Sequence, residues 1–357
     1  MQNAIKLSLI SVALLSQLQA NQEITLSPIA ITSTAIVTDE LKSTDAVEVY
    51  TEEDIKKAHV QNVYEFLNKA TSVFATSAYG NPFLQKIDMR GYGVGDGYQN
   101  IVVTINGRKM NNVDMVPQLL SSISPSSIKK IEIIKSSGIV VAGDGANAGV
   151  INIVTKQSND KEISFYMGTY GLFDGSFYAG HKGEKLSINA SGEAQRMDGI
   201  RNIDASGEKQ DANSFATGSF NLAYTPSDEL ELRLGAIATK TDVIYAGPIS
   251  EAQYKDNPTT SGTYSVHQKY DSNVLSAGAT YYVNDSLSFN VDASKENKKS
   301  QYLGAFPFSA FYDYRSINAT LDYITKRFAI KAGIDSFDGD VDAKSIALTK
   351  SNKASIS

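Results

Sequence analysis

The chain has no cysteine, no tryptophan and only three histidines among its 357 residues. Without cysteine there are no disulfides, no thiolate metal sites and no thiol nucleophile. His59, His181 and His267 form no H-x-x-H or H-x-x-x-H pair, so they read as solvated or hydrogen-bonded side chains, not metal ligands. A basic excess is also missing. The net charge of -6 argues against a nucleic-acid partner, which would want a basic face. No G-x-S-x-G, H-E-x-x-H, P-loop or EF-hand pattern occurs, so the sequence points to no enzyme and to no cofactor. Nowhere is there an 18-residue apolar run, which excludes helical membrane spans.

What is present begins with "MQNAIKLSLISVALLSQLQA". Lys6, the apolar stretch Leu7 to Leu15 and the small Ala20 predict a secretory signal peptide over residues 1–20, with the cut at Ala20 or a few residues away because Leu18 is unusual there. Residues 21–44, rich in Ser and Thr, read as a flexible leader. Residues 45–156 read as a small α+β domain. Thr51 with Asp54 is a capping-box variant opening a helix, and "NVYEFLNKA" continues as a second. "NIVVTINGRKM", "SIKKIEIIKS" and "GVINIVTK" read as strands.

Within this domain "MRGYGVGDGYQNIVVTINGRKMNN", residues 89–112, carries Gly91, Gly93, Gly95 and Gly97 at alternate positions. A dinucleotide fingerprint needs a strand before its glycines and a helix after them, and here a strand follows. Asn106-Gly107 signals a type I′ hairpin, whose central residues both need positive φ. The stretch is a glycine-rich loop feeding a hairpin.

From residue 161 the period changes to two. In "ELELRLGAIA" Leu230, Leu232, Leu234, Ala236 and Ala238 share one face, and "SLSFNVDAS", "RSINATLDYI" and "KRFAIKAGID" repeat the alternation. The links "YTPSDEL", "YVNDSL" and "YITKRF" allow only tight turns, each preceded by an aromatic at an interface position, whereas residues 197–212, 241–270 and 298–312 are long and polar. Short turns alternating with long loops mark a transmembrane β-barrel of the outer-membrane type, its short turns periplasmic. Residues 161–357 hold about ten such strands.

In this setting "IDMRGYG", "VVTINGRKMN", "SIKKIEIIKS" and "GDGANAGVINIVTK", in this order after a signal peptide and before alternating strands, resemble the TonB-dependent outer-membrane receptors. The resemblance covers essentially the whole chain. It implies a plug domain (45–156) inside a 22-stranded antiparallel barrel in the outer membrane of a Gram-negative bacterium. It further implies active uptake of a scarce nutrient, a ferric siderophore or other iron chelate, with cobalamin or haem as alternatives. The implied partners are TonB of the inner-membrane complex, a small-molecule metal chelate and outer-membrane lipid. A passive outer-membrane binding protein is the competing class, and the apolar "SPIAITSTA", residues 27–35, favours transport because it looks like a TonB box. Ile29, Ala30, Ile31 and Thr32 would meet TonB there, with Ala30 standing where a larger residue is usual.

The resemblance also places substrate residues. At the outer tip of the plug they are Tyr79, Phe83, Tyr92, Tyr98, Asn111, Asn112 and Asp114, while Arg90 anchors the plug and wants carboxylate partners. In the outer loops they are Tyr245, Tyr254, Tyr302 and Phe306, where aromatics beside cations such as Lys255, Lys298 and Lys299 suit an anionic iron chelate. Asp198, Asp204, Asp211 and Asp242 match no calcium-loop spacing. Ten strands tilted about 40° would enclose only about 20 Å, too little for a plug of about 110 residues, so the chain is expected to be the N-terminal portion of a longer receptor.

Overall fold

The computed structural model describes residues 30–31, 38–39, 46–78, 81–92, 100–110, 120–136, 145–203, 209–303, 307–325, 329–345 and 352–356. Two short strands, β1 (Ala30–Ile31) and β2 (Thr38–Asp39), pair antiparallel in the leader. The small domain follows with β3 (Val47–Thr51), α1 (Glu52–Lys57), α2 (Val63–Ala70), β4 (Phe74–Ala78), β5 (Asn81–Asp88), β6 (Ile101–Ile105), β7 (Arg108–Lys109), β8 (Ile128–Ile134) and β9 (Gly149–Thr155). Their five-stranded sheet has the order β3-β8-β9-β6-β7, with β6 and β9 parallel and the other neighbours antiparallel.

Local chemistry explains these elements. Thr51 and Asp54 close the expected capping box on α1, and Asn62 caps α2 through its side chain to the Glu65 N–H. Asn106 and Gly107 take φ of 50° and 82°, the type I′ turn the dipeptide predicts. Helix residues Ile55, Tyr64, Phe66 and Leu67 pack against Ile101, Val103, Ile131, Ile133, Ile151 and Ile153 on one face of the sheet. Val102, Ile134 and Val150 are buried on the other face, which is why β8 lacks a clean alternation. Inside this apolar layer Glu132 is fully buried but satisfied: Lys130 lies at 2.6 Å, Asn152 Nδ2 donates to it at 2.8 Å, and Thr104 Oγ1 donates to Asn152 Oδ1 at 2.7 Å. The β4–β5 hairpin has no signal in the sequence pattern.

Ten strands then form one antiparallel meander: β10 (Lys161–Met167), β11 (Phe173–Lys182), β12 (Leu186–Met197), β13 (Asn213–Ser227), β14 (Leu230–Ala246), β15 (Ser265–Asn284), β16 (Leu287–Tyr302), β17 (Phe308–Ile324), β18 (Ala329–Ser345) and β19 (Asn352–Ile356). A six-residue helix, α3 (Glu251–Asp256), lies between β14 and β15. Among the described residues β10 and β19 are the two edges of this sheet, which is not closed.

The two faces have different neighbours. The small domain sits against one: Gln195 Nε2 donates to Gln61 Oε1 at 3.0 Å, Thr217 Oγ1 to the Ser122 carbonyl at 2.8 Å, and Ile237 packs on the α/β core. The other face carries the exposed apolar side chains, among them Ile163, Phe165, Phe177, Phe220, Leu234, Leu275, Val291, Ile317 and Ile334. A continuous apolar surface of that size needs lipid.

The strands run further than their sequence pattern suggests. Residues 241–246 and 265–270 belong to β14 and β15, so the loop expected over 241–270 shrinks to 247–264, and that expected over 298–312 shrinks to 303–307. There the inward face turns apolar with Val243, Tyr245 and Val266 while the outward face carries Asp242 and Lys269, so the apolar-out alternation that reveals the lower strands is broken. Register corrects one interface aromatic as well: Tyr224 and Tyr323 lie on the outward face, but in the second link it is Tyr281, facing Leu230, and not Tyr282.

Candidate substrate site between plug and barrel wall

The predicted site residues fall into three groups. Ile29, Thr32, Tyr79, Tyr98, Asn111, Asn112, Asp114 and Phe306 lie outside the described residues. Tyr92 is half-exposed and its N–H donates to the Met89 carbonyl at 3.1 Å, while Tyr254 stands exposed on α3. The third group comes together. Phe83 stacks on Phe215 with ring centroids 5.2 Å apart, in a cluster with Val243, Tyr245 and Val266 against which Tyr302 packs.

One plug residue and two barrel residues expected to touch substrate therefore fall in one apolar cluster. Phe83 is buried to 1 % exposure, so in this arrangement its ring faces the barrel wall and not the opening. Tyr245 and Tyr302 are strand residues and not loop residues, Tyr245 on the inward face of β14 and Tyr302 at the end of β16. Arg90 differs from expectation too. It is exposed, has φ of 59°, and donates Nη1 to the carbonyls of Lys135 at 2.8 Å and Ala148 at 3.5 Å, with no carboxylate partner among the described residues. It still ties the β5 end to β8 and to the entry of β9.

Beside this seam lies a group the sequence pattern did not reveal as one site. Lys298, buried on the inward face of β16, has its Nζ 5.8, 4.9 and 5.1 Å from the ring centroids of Tyr270, Tyr312 and Tyr314. Tyr270 comes from β15 and the other two from β17, so three neighbouring strands build the cage. An ammonium enclosed by three ring faces is attracted to their π-electrons, and in a water-poor place that attraction is strong. Glu296, one inward position below, accepts a hydrogen bond from Ser272 at 2.8 Å. Burial pulls the Arg108 guanidinium of the plug hairpin below its usual range, and the charge of Glu296 opposes that shift. Of the aspartates weighed for calcium, Asp211 binds Arg201 at 2.8 Å and Asp242 binds His267 and Lys269; no metal-binding group occurs among the described residues.

A second junction lies at the short-turn end. Lys156, 1 % exposed, pairs with Glu52 of α1 at 2.8 Å and Glu162 of β10 at 3.3 Å, and sits 5.3 Å from the Tyr178 ring centroid. It joins plug and barrel at the point where one becomes the other.

Residues 39–150 match the model of the TonB-dependent receptor plug domain. The chain carries a plug domain of the TonB-dependent receptors. It is 23% identical over 256 residues to the probable TonB-dependent siderophore receptor PirA of Acinetobacter baumannii, covering 58% of this chain and 31% of that one. Over 86 residues it is 35% identical to the ferric aerobactin receptor of Klebsiella pneumoniae, 24% of this chain and 12% of the relative. Its fold matches the unliganded ferric citrate transporter FecA with a TM-score of 0.73 at 16% identity, covering 91% of this chain and 53% of the other. The siderophore receptor PiuA of Acinetobacter baumannii matches at 0.69 and 13%, covering 89% and 48%. The receptor thus spans less than a third of these curated relatives and about half of these solved structures.

Proposed function

We propose that the receptor takes up an anionic iron chelate, driven through its leader by TonB of the inner-membrane complex, and that Lys298 with Tyr270, Tyr312 and Tyr314 contributes the charged part of the binding surface. The single observation that carries this is the buried ammonium among three tyrosine rings on the inward wall. It offers an anionic, ring-bearing ligand both charge and ring faces. The relatives support the same class, being named for a siderophore, for ferric aerobactin and for ferric citrate. On this reading Tyr92 of the plug and Tyr254 of α3, both exposed, offer further ring contacts.

The test is chelate affinity of the full-length receptor after Lys298→Gln. Loss of the charge should weaken binding of an anionic ferric chelate about 10-fold, corresponding to about 1.4 kcal/mol, and leave heat-stable folding unchanged. Unaltered affinity for every ferric chelate the wild type binds would move the site elsewhere.

A further inference from the structure

Two carboxylates are buried where the plug meets the wall, and among the described residues neither has a cation beside it. Asp174 on β11 stands directly opposite Gln195 on β12, and Glu193 is the next inward residue along β12, opposite Thr217 of β13. This is the face that holds the plug, since Gln195 donates to Gln61 and Thr217 to the Ser122 carbonyl. Asp174 is 9 % exposed and Glu193 7 %. The plug element packed on β11 is the helical turn Pro125–Ser127, with Ser124 directly before it.

Diagonal neighbours on one face of a strand pair lie about 7 to 8 Å apart, so the side chains of an aspartate and a glutamate placed there can meet. Ser124 gives Glu193 a hydrogen bond, and the charge of Asp174 acts on Glu193 as well. Asp174 supplies a second, independent observation. Its Oδ2 is buried and reaches no hydrogen-bond donor among the described residues. An unsatisfied carboxylate oxygen is costly away from water, and two ionised carboxylates sharing such a place repel each other.

The usual remedy is a lysine or an arginine, and the surroundings supply neither. The titratable groups on the neighbouring elements are Tyr166, opposite Asp174 on β10, Tyr178 further along β11, and the plug's His59 and Lys129, both exposed. The buried cation of this seam, Lys156, lies four residues further down both strands, beside Tyr178 and Asn189, and is held there by Glu52 and Glu162. Plug residues 93–99, 111–119 and 137–144 contain no lysine or arginine.

We propose that Asp174 and Glu193 form a proton-binding site that latches residues 120–127 of the plug to the wall, one proton being shared by the two carboxyls while this segment is seated. The proton gives Asp174 Oδ2 a partner and removes the repulsion, so the pair is satisfied without a cation. When Ser124 and the turn behind it lift away, water enters, both carboxyls ionise and the proton passes to water. The seated segment thus holds one proton more than the lifted one. A fall in pH favours seating, and a rise favours lifting by up to about tenfold per pH unit over the range where the proton is lost.

The test uses the full-length receptor in outer-membrane vesicles without chelate. Hydrogen exchange of residues 120–127 is followed from about pH 5 to about pH 9, with the intrinsic pH dependence of exchange divided out. In the wild type it should speed up with pH, by up to about tenfold per unit where the proton is lost, while β6 inside the plug sheet stays constant. In Asp174→Asn and in Glu193→Gln an amide donor stands in for the shared proton, so exchange should be slow and independent of pH. Infrared spectra of the wild type at the low end of the range should show a protonated carboxyl that both variants lack. Its loss as pH rises is read on the wild type alone, so a variant that does not fold leaves the proposal testable. Wild-type exchange that is constant across the range, no protonated carboxyl, or pH dependence retained in both variants would overturn the proposal.

Discussion

Leu234 and Lys240 stand on the same face of the same strand, and each makes sense only in its own solvent. Leu234 is 54% exposed, and an exposed leucine at that depth belongs in hydrocarbon. Leu234→Arg should therefore cost about 2 to 4 kcal/mol of folding stability in lipid, while Lys240→Leu at the upper rim should cost less than about 1 kcal/mol; detergent-to-urea unfolding of the full-length receptor reads both. Inside the plug the large effects come from packing. Leu67 is completely buried in the helix–sheet core, and Leu67→Ala should destabilise the plug by about 2 to 5 kcal/mol, seen as faster hydrogen exchange in α2 and β6. The lipid-facing leucines were legible in the sequence because alternation marks them directly. Lys298 was legible only as one of several cations near aromatics, since its three tyrosines come from two other strands and no spacing links them.

At the scale of elements, the sequence pattern located α1, α2, β6, β8 and β9 because caps, a turn dipeptide and apolar runs fall where their physics requires. It missed the β4–β5 hairpin, and it read the upper parts of β14 to β17 as loop because the apolar-out alternation breaks there, Val243, Tyr245 and Val266 facing inward. The leader is the element that tests energy coupling. Ala30 and Ile31 pair with Asp39 and Thr38, which shows that this stretch takes extended backbone and accepts a neighbouring strand. Strand addition to a partner relies on main-chain hydrogen bonds, and proline deletes one donor and fixes φ. Ile31→Pro in the full-length receptor should leave outer-membrane delivery and chelate affinity at wild-type levels and reduce iron-chelate import to background. Import at the normal rate would place the coupling segment elsewhere.

For the molecule as a whole, the plug is held by a few polar contacts at its lower and edge elements. Burial alone would raise Glu48, but the hydrogen bond and charge of Lys135, with help from Tyr50 and Ser72, hold its carboxyl below the usual range. Glu52 behaves likewise: burial raises it, and Lys156 and Lys56 more than offset this. A carboxyl held low contributes stability above its ordinary pKa of about 4.3 and loses it as pH falls through the lowered value. Protease protection of β3 and α1 should accordingly be constant from pH 7 to about 5 and fall below about pH 4, with the barrel strands unaffected. Glu48→Gln with Glu52→Gln should reduce that dependence, the remainder coming from Asp54, which the hydrogen bonds of Thr51 also hold low.

The place of β3 in the plug sheet has a mechanical consequence. Among the described residues it is an edge strand, bonded only to β8, and it runs from Val47, opposite Ile134, down to Thr51 beside Lys130, towards the end where Lys156 leads into the barrel. A tension applied to the leader from the short-turn side pulls Val47 in the direction the strand already runs. The strand is then folded back on itself, and its hydrogen bonds break singly, beginning at the Val47–Ile134 pair, instead of sharing the load along their length. Unzipping of this kind takes little force over a long path, so the small domain yields from its edge while the ten-stranded wall around it bears none of the strain.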